Sequence, residues 1–314
     1  MNEQDKARAM PTTEAIEAAD RAARHWHFDD AADSGGTRGP LSTAAQATML
    51  ARMLLDTFNP YKPSVIDWPV LDDEARNRLT ALPIWDIAVQ TEGRARLRIL
   101  SYARTVRDPL LRKTLELMGF EEGRHKEVLS HLVAAYGIAL VPEPEYVEPK
   151  DPEWAFMVTG YSECIDSFFA FGLFELARRS GYFPQALVET FEPVIQEEAR
   201  HILFFSNWLA WHKANMAFWR RPWFLLKTLA VWGFLIRERI GLARTVGGER
   251  ENANFTVSGS TALAADGLDK AALMEICLAE NDRRFSGYDP RLLRPTTVPG
   301  LTRFALALLR LRRR

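Results

Sequence analysis

Cysteine is scarce in this chain. Cys164 and Cys277 are the only two among 314 residues, and no CxxC pair occurs. That argues against a disulfide framework and against a thiolate zinc site, and it favours a reducing compartment, the cytoplasm. Charge of one sign is lacking as well: 40 Lys and Arg stand against 41 Asp and Glu, for a net −1. No basic excess invites nucleic acid as a partner. No glycine-rich fingerprint for a flavin or nicotinamide nucleotide is present. Residues Met1 to Ala31 are charged and lack the roughly 7–15-residue apolar stretch of a secretory signal. The longest apolar run, Pro222 to Ile236, is interrupted by Lys227 and Thr228 and falls short of the about 20 residues that span a bilayer.

What the chain does have is helical periodicity. Hydrophobic residues make up 47%, enough for a full core at this length. No strand-like alternation or Asn-Gly hairpin signal interrupts the central region, so the expected class is all-α. Residues 1–42 read as a mobile polar arm with one short helix. Residues 43–83 read as helices at 43–58 and 72–82 joined by a proline-rich strap over 59–71. Residues 84–217 hold two long helical pairs, 84–106 with 110–137 and 153–179 with 184–217. Their turns fall at Arg107-Asp108-Pro109 and Ser180-Gly181, and Pro193 is expected to kink the last helix. Residues 218–314 form a helical extension: an aromatic stretch with arginines at both ends, a loop through Gly247 and Gly248, a helix near 268–285, and an apolar helix over 301–314 ending in Arg310, Arg312, Arg313 and Arg314. The Trp223–Ile236 stretch has two readings, a buried roof over the bundle or a helix lying in a membrane interface.

Two pentapeptides carry the chemistry, Glu121-Glu122-Gly123-Arg124-His125 and Glu197-Glu198-Ala199-Arg200-His201. Each contains Glu-x-x-His, which on a helix sets a carboxylate and an imidazole one turn apart on one face. One copy is a weak signal; two near-identical copies, one late in each helical pair, are a strong one. Bundles that hold two metal ions draw two further carboxylates from the remaining helices. In an antiparallel pair, residues at one height lie equally far from the turn. Glu92 mirrors Glu122 about position 107, and Glu163 mirrors Glu198 about position 180.5, each inside its expected turn. Glu175 would pair near residue 187, far from the motif, and is rejected. Apolar residues surround all four positions, and burying unpaired carboxylates there is costly. Six ligands, Glu92, Glu122, His125, Glu163, Glu198 and His201, around two cations remove that cost.

Other polar residues have plainer readings. Arg124 and Arg200 are expected to pair with Glu121 and Glu197 on the outer face. Asp166 is either an acceptor that orients a ligand imidazole or an ordinary helix-face acid. His131 and His212 are read as packing or surface residues, Cys164 as core, and His25 and His27 near Asp29 and Asp30 as no site.

These residues resemble the ferritin-like di-iron carboxylate superfamily, over about residues 84–213. The spacings of 30 residues from Glu92 to Glu122 and 35 from Glu163 to Glu198 are similar to the demethoxyubiquinone hydroxylase branch. The flanking segments have no counterpart in that compact family, and no cysteine-rich rubredoxin-like module accompanies the site. The resemblance implies a ferritin-like antiparallel four-helix bundle and an O2-activating non-haem di-iron oxidoreductase of the oxygenase or hydroxylase type. It implies two iron ions, with manganese as the alternative metal. Glu122 and Glu198 would bridge and serve as the catalytic carboxylates, Glu92 and Glu163 would be terminal ligands, and His125 and His201 would each hold one ion. Electrons would come from an external reductase or ferredoxin. The apolar C-terminal third suggests a small hydrophobic, lipid-like substrate. Two other classes stay open: peroxide chemistry of the manganese-catalase kind or ferritin-like iron handling, and a non-enzymatic helical protein with a structural or vestigial metal site. Peripheral contact with the inner membrane face and a homodimer also stay open.

Overall fold

A computed structural model describes residues 13–28, 43–60, 67–245 and 270–312, and every regular element among them is helical. In chain order these are α1 (Thr13–Arg24), α2 (Thr43–Asp56), α3 (Asp73–Ala81), α4 (Trp85–Ala103), α5 (Pro109–Tyr136), α6 (Pro152–Ser180), α7 (Gln185–Asn215), a 3₁₀ turn (Phe218–Arg220), α8 (Arg221–Thr245), α9 (Lys270–Phe285) and α10 (Thr297–Arg312).

The long helices start and stop for local reasons. The Asp108 side chain accepts from the Leu111 N–H and Pro109 opens α5; Asp151 accepts from the Trp154 N–H and Pro152 opens α6. A carboxylate cap followed by a proline whose missing N–H costs nothing is a favourable start. Both helices end at a glycine with positive φ, Gly137 at 69° and Gly181 at 64°, where a β-carbon would be strained. Helix α7 runs through Pro193 as one element.

Helix α4 packs along α5, and α6 along α7. Helix α4 also lies against α6, and α2 covers the seam between α5 and α7. Close approach depends on small residues. A β-carbon at Gly119 would strike Leu100, and one at Gly160 would strike the Phe205 ring. Below the polar centre, Tyr102 stacks on Phe156 at 4.7 Å and meets Trp208 edge-on at 5.4 Å. Helix α9 packs along α6.

The N-terminal segment departs from the expected free arm over residues 13–28. Trp26 donates to the Gly287 carbonyl at 3.0 Å and accepts from the Asp289 N–H at 2.8 Å, and Arg24 pairs with Glu192 of α7. An aromatic residue that buries its ring and pairs its backbone offsets the entropy of tethering a tail. Helix α8 covers α6 with one face only. Val231 and Leu235 are fully buried, whereas Trp223, Leu226 and Leu229 are exposed, so it roofs the bundle with one face and is not the buried helix of the first reading. Among the described residues no helix is long and apolar enough to cross a membrane. Arg310 pairs with Glu275 at 2.7 Å. Residues 61–66 of the expected strap, the Gly247-Gly248 loop, Asp29, Asp30, Arg313 and Arg314 lie outside the described residues.

Candidate metal centre

All six expected ligands converge. Glu92, Glu122, His125 and Glu198 offer one atom each within 4.8 Å of one another, and so do Glu122, Glu163 and His201. Glu122 belongs to both groups, so one carboxylate stands between two potential cation positions. The Nδ1 atoms of the histidines face inward: His125 Nδ1 lies 3.0 Å from Glu198 Oε1 and 3.7 Å from Glu92 Oε2, and His201 Nδ1 lies 3.0 Å from Glu122 Oε1. The two rings are 5.7 Å apart. Glu92 and Glu163 point into this space, as the mirrored spacing requires. Glu175 instead pairs with Arg178 and Arg179.

The donor set suits a metal ion. Glu122 Oε1, His125 Nδ1, Glu163 Oε1 and His201 Nδ1 are buried and form no well-aligned hydrogen bond, though the two imidazole nitrogens lie 3.0 Å from carboxylate oxygens. A buried polar atom without a partner carries a desolvation cost of about 1–3 kcal/mol. Four of them facing one small volume, all oxygen or imidazole nitrogen, match what first-row divalent cations take. The cluster could therefore hold a metal ion.

Behind the ligands lies a reciprocal arrangement that corrects the expected outer-face pairs. His125 Nε2 lies 2.8 Å from Glu197 Oε2, and His201 Nε2 lies 2.7 Å from Glu121 Oε2, so each imidazole is held by the other helix's motif. Arg124 donates to Glu197, and Arg200 donates to Glu121 at 3.1 Å. All four of these side chains are buried; Glu121 and Arg200 are fully so. The arginines finish on the C-terminal end of α2. Arg200 donates to the Leu54 carbonyl and the Thr57 hydroxyl, both at 2.7 Å, and Arg124 donates to the Asn59 carbonyl at 2.5 Å. Carbonyls at a helix C-terminus lack intrahelical donors and favour cations. Glu121 and Glu197 thus fill the orienting role expected of Asp166, which accepts from Ser162 and Arg239 at 2.9 and 2.8 Å. The missed signal was the repetition itself: solvated pairs have no reason to keep both the Glu four residues before and the Arg just before each histidine.

The electrostatics follow from burial and crowding. Burial, then repulsion from Glu198 and Glu92, pushes the Glu122 carboxyl well above the ordinary range; burial, then Glu122 and Glu198, does the same to Glu163. Burial would also raise Glu121, but Arg200, His201 and Arg124 together outweigh it and hold it at about 2. Burial works against the charged form of both histidines, yet their carboxylate partners, Glu197 first for His125 and Glu121 for His201, raise them above 6.5.

Without metal, therefore, the folded chain keeps protons that the unfolded chain releases. Glu122 and Glu163 contribute this way above about pH 4.5, and the histidines above about pH 6.5. Stability of the chelator-treated protein should fall as pH rises above about 6.5. The metal-loaded protein should not share that fall, since cations replace the protons. Thermal melts by circular dichroism at several pH values check this; a metal-free melting temperature that is flat or rises would contradict it.

A cavity of about 1050 Å3 reaches the cluster, lined in part by Glu92, Glu122, His125, Glu163 and Glu198. Elsewhere, His212 pairs with Glu153 at 2.7 Å and stacks on Trp208, and Cys164 is half-buried against the core. Both are packing roles.

Compared with known families and proteins, the chain stands apart. No family model, curated protein or solved structure matches it. What can be said of its chemistry rests on the residues themselves.

Proposed function

We propose that this protein is a non-haem di-iron oxidoreductase of the oxygenase or hydroxylase type, acting on a hydrophobic substrate, with α4 to α7 as a four-helix bundle of the ferritin-like kind. The observation that carries the reading is the set of four buried ligand atoms without a well-aligned hydrogen bond, on Glu122, His125, Glu163 and His201, aimed at one volume beside a large cavity. Two iron ions bound there would supply reduction of O2 with electrons from an external reductase or ferredoxin.

The chain's own residues set the conditions. Glu122, which belongs to both groups, would stand between two ions; Glu92, His125 and Glu198 would hold one and Glu163 and His201 the other, so Glu198, expected as a second bridge, reaches only one of the two positions. Glu197 and Glu121 hold the Nε2 side of each imidazole, which leaves Nδ1 free for coordination and fixes the ring plane. Ser167 donates to Glu198 Oε2 at 3.3 Å and steadies its second oxygen. The cavity wall is largely apolar, with Ala88, Leu129, Leu173, Phe191 and Ile195 on it. An organic molecule has room there. Peroxide or ferrous iron alone needs no such space, which is why oxidation of a substrate is preferred to peroxide disposal or iron storage.

The test is anaerobic loading with ferrous iron, followed by O2 with a chemical reductant and extracted lipids. Binding of two ions per chain, O2 uptake and an oxygenated or dehydrogenated organic product are expected. Stoichiometric peroxide dismutation without an organic product would favour the catalase-like alternative. Less than about one ion per chain would favour a structural protein and end the proposal.

A further inference from the structure

The cavity beside the cluster follows α4 from Trp85 to Arg98, a helical rise of roughly 20 Å. Its wall changes character along the way. At the end near Trp85 it is apolar, with Leu82, Phe183 and Leu187. The carboxylates of the cluster lie at its middle. At the other end stand Arg94 and Arg98, with Arg237 and Phe234 of α8 across from them.

Arg94 and Arg98 are one turn apart on the same helix face, an unfavourable like-charge spacing. Among the described residues neither has an ion pair or side-chain hydrogen bond. Arg94 reaches solvent and Arg98 is half-buried, unlike the buried and paired Arg124, Arg200 and Arg284. Burial, then Arg94, holds the Arg98 pKa below its usual value, and only the field of Glu238 offsets this. A second cavity of about 580 Å3, beneath the 144–151 crossover, shares Arg94, Arg98, Pro144, Val158 and Phe234 with the first. The two arginines therefore stand where the first cavity meets a second one with room for a polar head.

We propose that the first cavity binds a single-chain lipid whose anionic head, a carboxylate or phosphate, is held by Arg94 and Arg98 while its hydrocarbon chain runs past the cluster. A guanidinium pair matches such a head by charge-assisted, two-pronged hydrogen bonds, and the apolar wall takes the tail. Glu238 on the same wall answers part of this charge; an anionic head would answer the rest, and a neutral ring or alcohol would not. The wall continues beyond the cluster to Leu82 and Leu187, so an internal part of the chain, rather than its tip, lies against Glu92 and Glu122. This deepens the functional reading only in saying which molecule meets the cluster; binding itself does not require turnover.

The test is titration of the iron-loaded protein, kept anaerobic, with oleate and with oleyl alcohol, read by displacement of a fluorescent fatty acid. Oleate should bind at least tenfold more tightly than the alcohol. In the double variant Arg94→Ala/Arg98→Ala oleate should weaken by about tenfold to a hundredfold, with the alcohol unchanged. Leu187→Trp, which narrows the apolar end, should weaken both ligands. Iron content and helical signal verify that each variant is folded. Equal binding of oleate and alcohol, or oleate binding indifferent to loss of both arginines, would overturn the proposal. Arginine-dependent oleate binding without any O2-dependent product would leave it standing and count instead against the oxygenase reading. A product from another substrate with no oleate binding would do the reverse.

Discussion

Alanine at His125 or His201 is expected to lower the metal that the cluster can hold while leaving the helical signal near its starting value. Each imidazole presents Nδ1 to the cluster and is held at Nε2 by a carboxylate from the opposite helix. Loss of an orienting partner alone commonly weakens a metal site about 10–100-fold, and loss of the ligand should exceed that. The orienting carboxylates keep a charge partner in these variants, because Glu197 still receives Arg124 and Glu121 still receives Arg200. Global unfolding is therefore not expected. Metal analysis after anaerobic loading, alongside far-ultraviolet circular dichroism, reads both quantities. Wild-type stoichiometry and affinity in His201→Ala would remove the metal centre from consideration; collapse of helicity with metal loss would make the histidine a core residue first.

Arg200→Leu should have the largest effect on stability. It strands Glu121, fully buried and otherwise held at about 2 chiefly by that arginine, and it frees the Leu54 carbonyl and the Thr57 hydroxyl. Removing one partner of a buried pair typically costs about 3–5 kcal/mol, which in a chain of this size lowers the melting temperature by on the order of 10 °C. Replacing both Arg200 and Glu121 by leucine should recover part of that loss, because the buried carboxylate no longer lacks its arginine, although His201 then loses its partner at Nε2. Arg200→Lys should not, since one ammonium cannot serve three acceptors arranged around a planar guanidinium. A single variant within about 1 kcal/mol of the wild type, by denaturant titration, would refute the account.

Much of this geometry was readable from residue order. Asp108-Pro109, Gly137 and Gly181 mark helix ends through local chemistry, so the long helices fall within a few residues of their expected limits. With the turns known, Glu92 and Glu163 follow from counting. What could not be counted lies between helices. Glu121 and His125 share a helix side, which suggests a local pair, yet Glu121 reaches His201 across the seam. Only the distance between α5 and α7 decides which histidine it meets, and no single helix encodes that distance. Docking of Trp26 on the segment around Tyr288 likewise joins residues more than 250 positions apart, with no periodicity to announce it. The role of α2 was hidden for the same reason. Its contribution is a set of backbone carbonyls, which every sequence possesses.

The exchange of carboxylates between the two pentapeptides has a consequence for how such a centre comes into being. Neither helical hairpin owns a finished coordination sphere, because the group that aims its imidazole resides on its twin. Competence to hold an ion thus arises at the moment of docking and only in the correct alignment; a slip of one turn would spoil both halves together. The pair behaves as a built-in check on its own assembly.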